Sequence, residues 1–138
     1  MDPYLAVHWR QTDFVKLRPK HILSKEQLIK CVKETLEETG LKQVYISTDS
    51  NDLDALKYIN EHLPTFNYIQ QENITNVDYT ILESLICARA EYFIGTELSF
   101  YSINIIGERS NMGKINNNEI RIPGRGIQTY SRKLTKIL

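Results

Sequence analysis

A chain of 138 residues has the length of one domain, and 41% hydrophobic with 25% charged residues is the balance of an ordinary globular protein. Lys plus Arg and Asp plus Glu number 17 each, so the formal net charge is zero and no broad basic surface for nucleic acid or membrane is expected. No apolar run is long enough for membrane insertion, and the start Met1-Asp2-Pro3-Tyr4 leads into a strand without a signal-peptide core. The expectation is a chain that is cytosolic as written or a piece of a longer protein.

Residues 4–10 (YLAVHWR) form an apolar run that turns polar at its end, as buried parallel strands do. After a polar loop containing Pro19, Ser24 and Gln27 have capping-box spacing. The helix they open carries an apolar stripe of Leu28, Ile29, Val32 and Leu36, with Cys31 beside it, and ends at Gly40. Its Lys30, Lys33, Glu34, Glu37 and Glu38 read as a solvated face. Residues 43–47 predict a second strand, and the polar run 48–52 offers N-caps to a helix over about 53–62 that stops before Pro64.

Residues 66–69 predict a third short strand, and a polar loop then leads to a helix over about 78–89 bearing Ile81, Leu82, Leu85, Ile86 and Ala88. A fourth strand at 91–94, a turn at 95–98 and a final helix from the Ser99 cap to about Arg109 complete the pattern. Beyond Gly107 it fades: residues 116–118 (Asn-Asn-Asn) read as a turn and 124–138 as a basic, loosely structured tail. Strands alternating with helices predict an α/β fold, a mainly parallel sheet with helices on both faces. The expected division is a domain over 1–113 with 114–138 as its extension or tail.

Ligands of doubly wound sheets bind outside the carboxyl ends of the strands. The polar residues there are His8, Arg10 and Asp13 after the first strand, Asp49 after the second, and Thr96, Glu97 and Ser99 after the fourth. An arginine can clamp a phosphate with its planar fork, and the free N–H groups opening the last helix, around Ser99, Phe100 and Tyr101, suit an anion too. Together they would make a pyrophosphate site. The same residues also allow a plain loop, with Arg10 paired to Asp13 and Ser99 only a cap.

The remaining motifs narrow the field. No G-x-G-x-x-G follows the first strand, and neither a phosphate-binding G-x-x-x-x-G-K-[ST] loop nor a G-x-S-x-G elbow occurs. His8, His21 and His62 lack metal-ligand spacing, so no metal is expected, and Cys31 and Cys87 read as two buried small apolar side chains. A receiver-like domain would need an acidic cluster where the first strand instead ends in His8 and Arg10. Asn73-Ile74-Thr75 is a glycosylation sequon in a loop, and Arg121, Arg125, Arg132, Lys133 and Lys136 read as a solvated basic end.

Three ordered blocks carry a resemblance. His8-Trp9-Arg10-Gln11-Thr12-Asp13-Phe14 is similar to the H-x-R-x-x-D-F motif of fucosyltransferases that use GDP-fucose. Val44-Tyr45-Ile46-Ser47-Thr48-Asp49 resembles their second strand. Residues 86–96, with Ser99 and 105–109, resemble the GDP-fucose protein O-fucosyltransferases, especially the branch acting on thrombospondin-type repeats.

The resemblance implies the C-terminal, nucleotide-binding domain of a two-domain GT-B glycosyltransferase. It would be the donor-binding half of an inverting enzyme that transfers fucose to Ser or Thr of a protein acceptor without metal or other cofactor. Arg10 would be the catalytic residue, holding the β-phosphate of GDP-fucose. His8 would contact the nucleotide, Glu83 would read it, and Ser99 with the backbone of Phe100 and Tyr101 would hold the phosphates. Asp13 and Asp49 would support them. Where that branch has Ser-Thr-Phe, this chain has Ser99-Phe100-Tyr101, so contacts there fall to the backbone. The resemblance also implies a secretory-pathway, endoplasmic-reticulum setting and an N-terminal partner domain, without which the chain is expected to be inactive. The alternative is a truncated, non-catalytic module that binds a nucleotide or a protein.

Overall fold

The structure, a computed structural model, describes residues 2–11, 23–66, 76–96, 99–120 and 127–129. Its elements in chain order are β1 (Leu5–Trp9), α1 (Lys25–Thr39), β2 (Val44–Thr48), α2 (Leu53–His62), α3 (Asn76–Arg89), β3 (Tyr92–Thr96), α4 (Phe100–Asn111), β4 (Asn117–Ile120) and β5 (Ile127–Thr129). The strands form one sheet in the order β2-β1-β3-β4-β5, parallel except for the last pair. This is the mainly parallel α/β sheet that the sequence predicts.

Period-two alternation along β1 divides the core into two layers. Leu5, Val7 and Trp9 point to one face, where they pack with Leu28, Ile29 and Val32 of α1 and Ala55 and Ile59 of α2. Ala6 points to the other face, against Cys87 of α3, Phe93 of β3 and Ile105 and Ile106 of α4. Helices thus cover both faces in pairs, and β1 is buried along its whole length.

The helix boundaries follow local chemistry. Ser24 and Gln27 make the reciprocal capping box at the start of α1, and Gly40 closes it in the left-handed conformation at φ 73°. Asp52 accepts from the Ala55 N–H to open α2.

Several expectations change. The third strand contracts to one bridge, Thr65 beside Val44, with 67–69 outside the described residues. The apolar set expected on the 78–89 helix is buried only in part: Ala88 is buried and Ile86 packs half-buried against the core, but Ile81 and Leu85 are exposed, and Cys87 lies in the core beside Ala88. Cys31 is only half-buried, Cys87 fully so, and both are free thiols.

The largest correction concerns the asparagine run. Asn117 and Asn118 are not a turn but the start of β4, parallel to β3, and residues 127–129 of the expected tail pair with β4 as β5. Asparagine is a poor strand former. What holds β4 is Arg109, a fully buried side chain whose Nε donates to Asn117 Oδ1. Its other donors reach the carbonyls of Cys87, Ala88, Ala90, Glu91 and Asn116, so one guanidinium ties the end of α3 to the entries of β3 and β4. Burial lowers its pKa to about 10, which leaves it charged at neutral pH.

Candidate functional site

The chain leaves β1 toward β2 on one side, then returns to place β3 on the other. Strand order reverses there, between the carboxyl ends of β1 and β3, where doubly wound sheets bind ligands. The pairing shows the opening. β1 pairs with β3 only as far as Val7↔Ile94, yet stays paired with β2 to Trp9↔Thr48, while β3 pairs onward with β4 to Thr96↔Ile120. The two strands part over their last residues, where the crevice of a doubly wound sheet opens.

Arg10 stands at its edge. One guanidinium nitrogen, Nη1, is 3.2 Å from Asp49 Oδ2 at the end of β2, and Asp49 Oδ1 accepts from the Gln11 N–H at 2.7 Å. One carboxylate therefore fixes both the side chain of Arg10 and the backbone just after it. The alternative partner, Asp13, lies outside the described residues, as does the Asn73 sequon. Thr48 adds a second tie, donating to the Trp9 carbonyl at 2.6 Å.

His8 points to the α3/α4 face and is buried, its Nδ1 2.6 Å from Ser102 Oγ and its ring centroid 4.6 Å from that of Tyr101. Burial, with the Arg10 charge adding to it and Asp49 opposing, lowers its pKa to about 4, so the ring is neutral at pH 7. Ser102 Oγ also accepts from the Thr96 N–H at 2.9 Å, which joins His8 to the end of β3. Gly95 makes this approach possible: a Cβ there would lie 2.9 Å from Ser102 Cβ.

Ser99 occupies the N-cap position of α4 and is buried, but its side chain makes no capping hydrogen bond, unlike Ser24 of α1 and Asp52 of α2. The first N–H groups of a helix have no intrahelical acceptor, so the α4 terminus offers donors to an anion at the crevice. Phe100 is 82% exposed there, and Tyr101 lies half-buried against His8.

Glu83 of α3 sits farther along the same face. Tyr45 donates to its Oε1 at 2.7 Å, and the nearby Ser47 Oγ is 3.4 Å from the Tyr101 hydroxyl. Burial raises the Glu83 pKa against the opposing effect of the Tyr45 and Ser47 hydroxyls, and raises that of Tyr45 as well. The structure thus brings His8, Arg10, Asp49, Ser99 and Tyr101 to one edge and places Glu83 on the same face, bonded to Tyr45.

Sequence reasoning gave no role to Tyr45, Gly95 or Ser102, and marked Thr96 only as a polar residue at a strand end. A tyrosine in a buried strand needs a hydroxyl partner, a readable signal. Ser102 carries none, because its partner is 94 residues away. Among the described residues no three His, Cys, Asp or Glu side chains cluster as metal ligands would, and no helix is long and apolar enough to cross a membrane.

A strand-order reversal edged by an arginine and by a helix terminus that its own N-cap serine leaves open makes this a Rossmann-like α/β domain suited to an anionic ligand. Comparison with known proteins gives the family. The model of the GDP-fucose protein O-fucosyltransferase family matches residues 1–112, and the chain belongs to that family. It is 28% identical over 114 residues to GDP-fucose protein O-fucosyltransferase 2 of Caenorhabditis elegans, covering 80% of this chain and 27% of that protein. Against the Homo sapiens protein of the same name the identity is 30% over 115 residues, with the same coverage.

The chain therefore spans about a quarter of the length of these relatives. Its fold matches crystal POFUT1 in the apo form with a TM-score of 0.66 at 19% identity, over 87% of this chain and 42% of that one. The match to POFUT1 in complex with GDP-fucose has a TM-score of 0.60 at 20% identity, over 80% and 39%.

Proposed function

We propose that this chain is the donor-binding part of a GDP-fucose protein O-fucosyltransferase, holding the diphosphate of GDP-fucose in the crevice between β1 and β3. The observation that carries the reading is the position of Arg10. In a chain of this family, its guanidinium is anchored by Asp49 at the strand-order reversal, beside a helix N-terminus that the Ser99 side chain does not cap.

The chemistry follows from that placement. As the bond from the fucose anomeric carbon to the β-phosphate oxygen breaks, negative charge grows on the departing GDP and positive charge on the sugar. Arg10 and the first N–H groups of α4 oppose the first of these, and being fixed in advance they need no reorganisation at the moment of reaction. They supply charge that a divalent ion supplies in other glycosyltransferases, which supports a metal-independent reaction. His8, neutral at pH 7, acts as a hydrogen-bonding and packing group rather than a second cation. Glu83 would accept from guanine N–H groups, oriented by Tyr45 and Ser47.

The acceptor hydroxyl, on Ser or Thr of a separate protein substrate, would attack opposite the leaving phosphate with inversion, and the group that takes its proton would come from the rest of a family-length protein. The secretory pathway, in particular the endoplasmic-reticulum lumen, is the setting that goes with this family.

Calorimetric titration of the chain with GDP, GDP-fucose, GDP-mannose and UDP, repeated on Arg10→Ala, tests the reading. We expect binding by the guanosine diphosphates alone and a loss of about 10- to 100-fold in the variant, as for a charge-assisted contact. Equal binding of UDP, or unchanged GDP affinity in Arg10→Ala, overturns it.

A further inference from the structure

The hydrogen bonds of Thr96 repeat, with a side chain, what the sheet ladder stops doing. The β1–β3 register of Val7↔Ile94, continued by two residues, sets Thr96 opposite Trp9. In a parallel ladder a residue at that position donates its N–H to the carbonyl before its partner and accepts from the N–H after it, here His8 O and Arg10 N. The strands have parted, and the Thr96 hydroxyl makes both bonds instead. Oγ1 donates to His8 O at 2.7 Å and accepts from Arg10 N at 3.1 Å. The Thr96 N–H, freed from the ladder, donates to Ser102 Oγ, the atom that also holds His8 Nδ1.

We infer that Thr96 is a positioning residue for diphosphate binding: its hydroxyl spans the crevice and sets where the Arg10 backbone stands relative to β3 and the α4 N-terminus. The inference rests on the reading of Arg10 given above.

The geometry has three consequences. A hydroxyl both donates and accepts, as this bridge requires, whereas the isosteric valine does neither. The bridge holds Arg10 from the β3 side while Asp49 holds its side chain and the next amide from the β2 side, so the guanidinium is referenced to both strands. Small misplacements of a binding group are costly, so loss of the bridge should lower affinity for the phosphate that Arg10 holds and spare the rest of the nucleotide.

The test measures GDP and GMP affinities of the full chain for wild type, Thr96→Val, Thr96→Ser, Arg10→Ala and the Thr96→Val/Arg10→Ala double variant. Amide hydrogen exchange at Arg10 is followed in each variant that retains that residue. Thr96→Val should weaken GDP about tenfold, leave GMP near wild type and expose the Arg10 amide to exchange. Thr96→Ser should restore all three. The double variant should bind GDP no more weakly than Arg10→Ala, because Thr96 acts through Arg10. Should the valine variant fail to fold, Thr96→Ala, which removes the same hydroxyl, carries the same expectation for GDP over GMP.

Equal losses for GDP and GMP, or additive losses in the double variant, overturn the positioning role while leaving Arg10 in place. So does wild-type GDP affinity in Thr96→Val when Arg10→Ala has lost it. Unchanged GDP affinity in Arg10→Ala overturns the reading of Arg10, and the inference with it.

Discussion

The two faces of the sheet divide the work. On the α1/α2 face the buried groups are mostly apolar, and both helices begin at sealed caps. On the α3/α4 face His8, Ser102, Ser47, Tyr45 and Glu83 are hydrogen-bonded among Cys87, Phe93 and Ile105, and α4 begins at an N-cap whose side chain does not cap it. The first face contributes stability by area removed from water. The second carries buried polar groups that stabilise only when every partner is in place. The polar face is thus more sensitive to single changes, and it adjoins the crevice.

Arg109 gives the largest test, and it lies at the amino ends of β3 and β4, away from the crevice. Arg109→Met should destabilise the chain by about 3–5 kcal/mol in chemical denaturation, because several carbonyls lose their donor at once. A loss below about 1 kcal/mol would show that water replaces the guanidinium.

His8 gives the next effect. Its folded pKa, about 4, lies below the ordinary 6.5. The unfolded chain therefore takes up a proton that the folded chain refuses. The contribution is fully present above pH 6.5 and is lost as pH falls toward 4, on the order of 2–3 kcal/mol. The wild-type stability curve minus that of His8→Asn should slope only across that window; a flat difference would mean that the ring protonates as readily in the fold as in the unfolded chain.

Gly95→Ala should cost about 1–3 kcal/mol by overpacking, since the new methyl meets Ser102 Cβ and a Phe93 ring carbon at 2.9 and 3.1 Å. It should also weaken GDP binding, because Ser102 holds both His8 and Thr96. Destabilisation with unchanged GDP affinity would uncouple the α4 packing from the crevice.

The smallest effect lies on the other face. Ser24→Ala should lower stability by about 1 kcal/mol through loss of the cap and leave GDP affinity at the wild-type value. A change in affinity would mean that the two layers are not independent.

The sequence by itself determined what short-range physics controls. The capping box at Ser24 and Gln27, the left-handed Gly40 and the Asp52 cap set helix ends from neighbours within a few residues. Alternation along β1 set which side chains face which layer. The polar ends of β1 and β2 marked the carboxyl edge of the sheet, because a parallel strand turns polar where it leaves the core.

Only the tertiary structure decided the rest. Asp49 meets the Gln11 backbone across 38 residues, Ser102 meets His8 across 94, and Thr96 meets the His8 carbonyl across 88. The asparagine run became a strand because a buried arginine supplied a partner that strand propensity could not anticipate. Caps and periodicity are written in adjacent residues, whereas a polar contact between distant strands exists only once the sheet has brought them to the same edge.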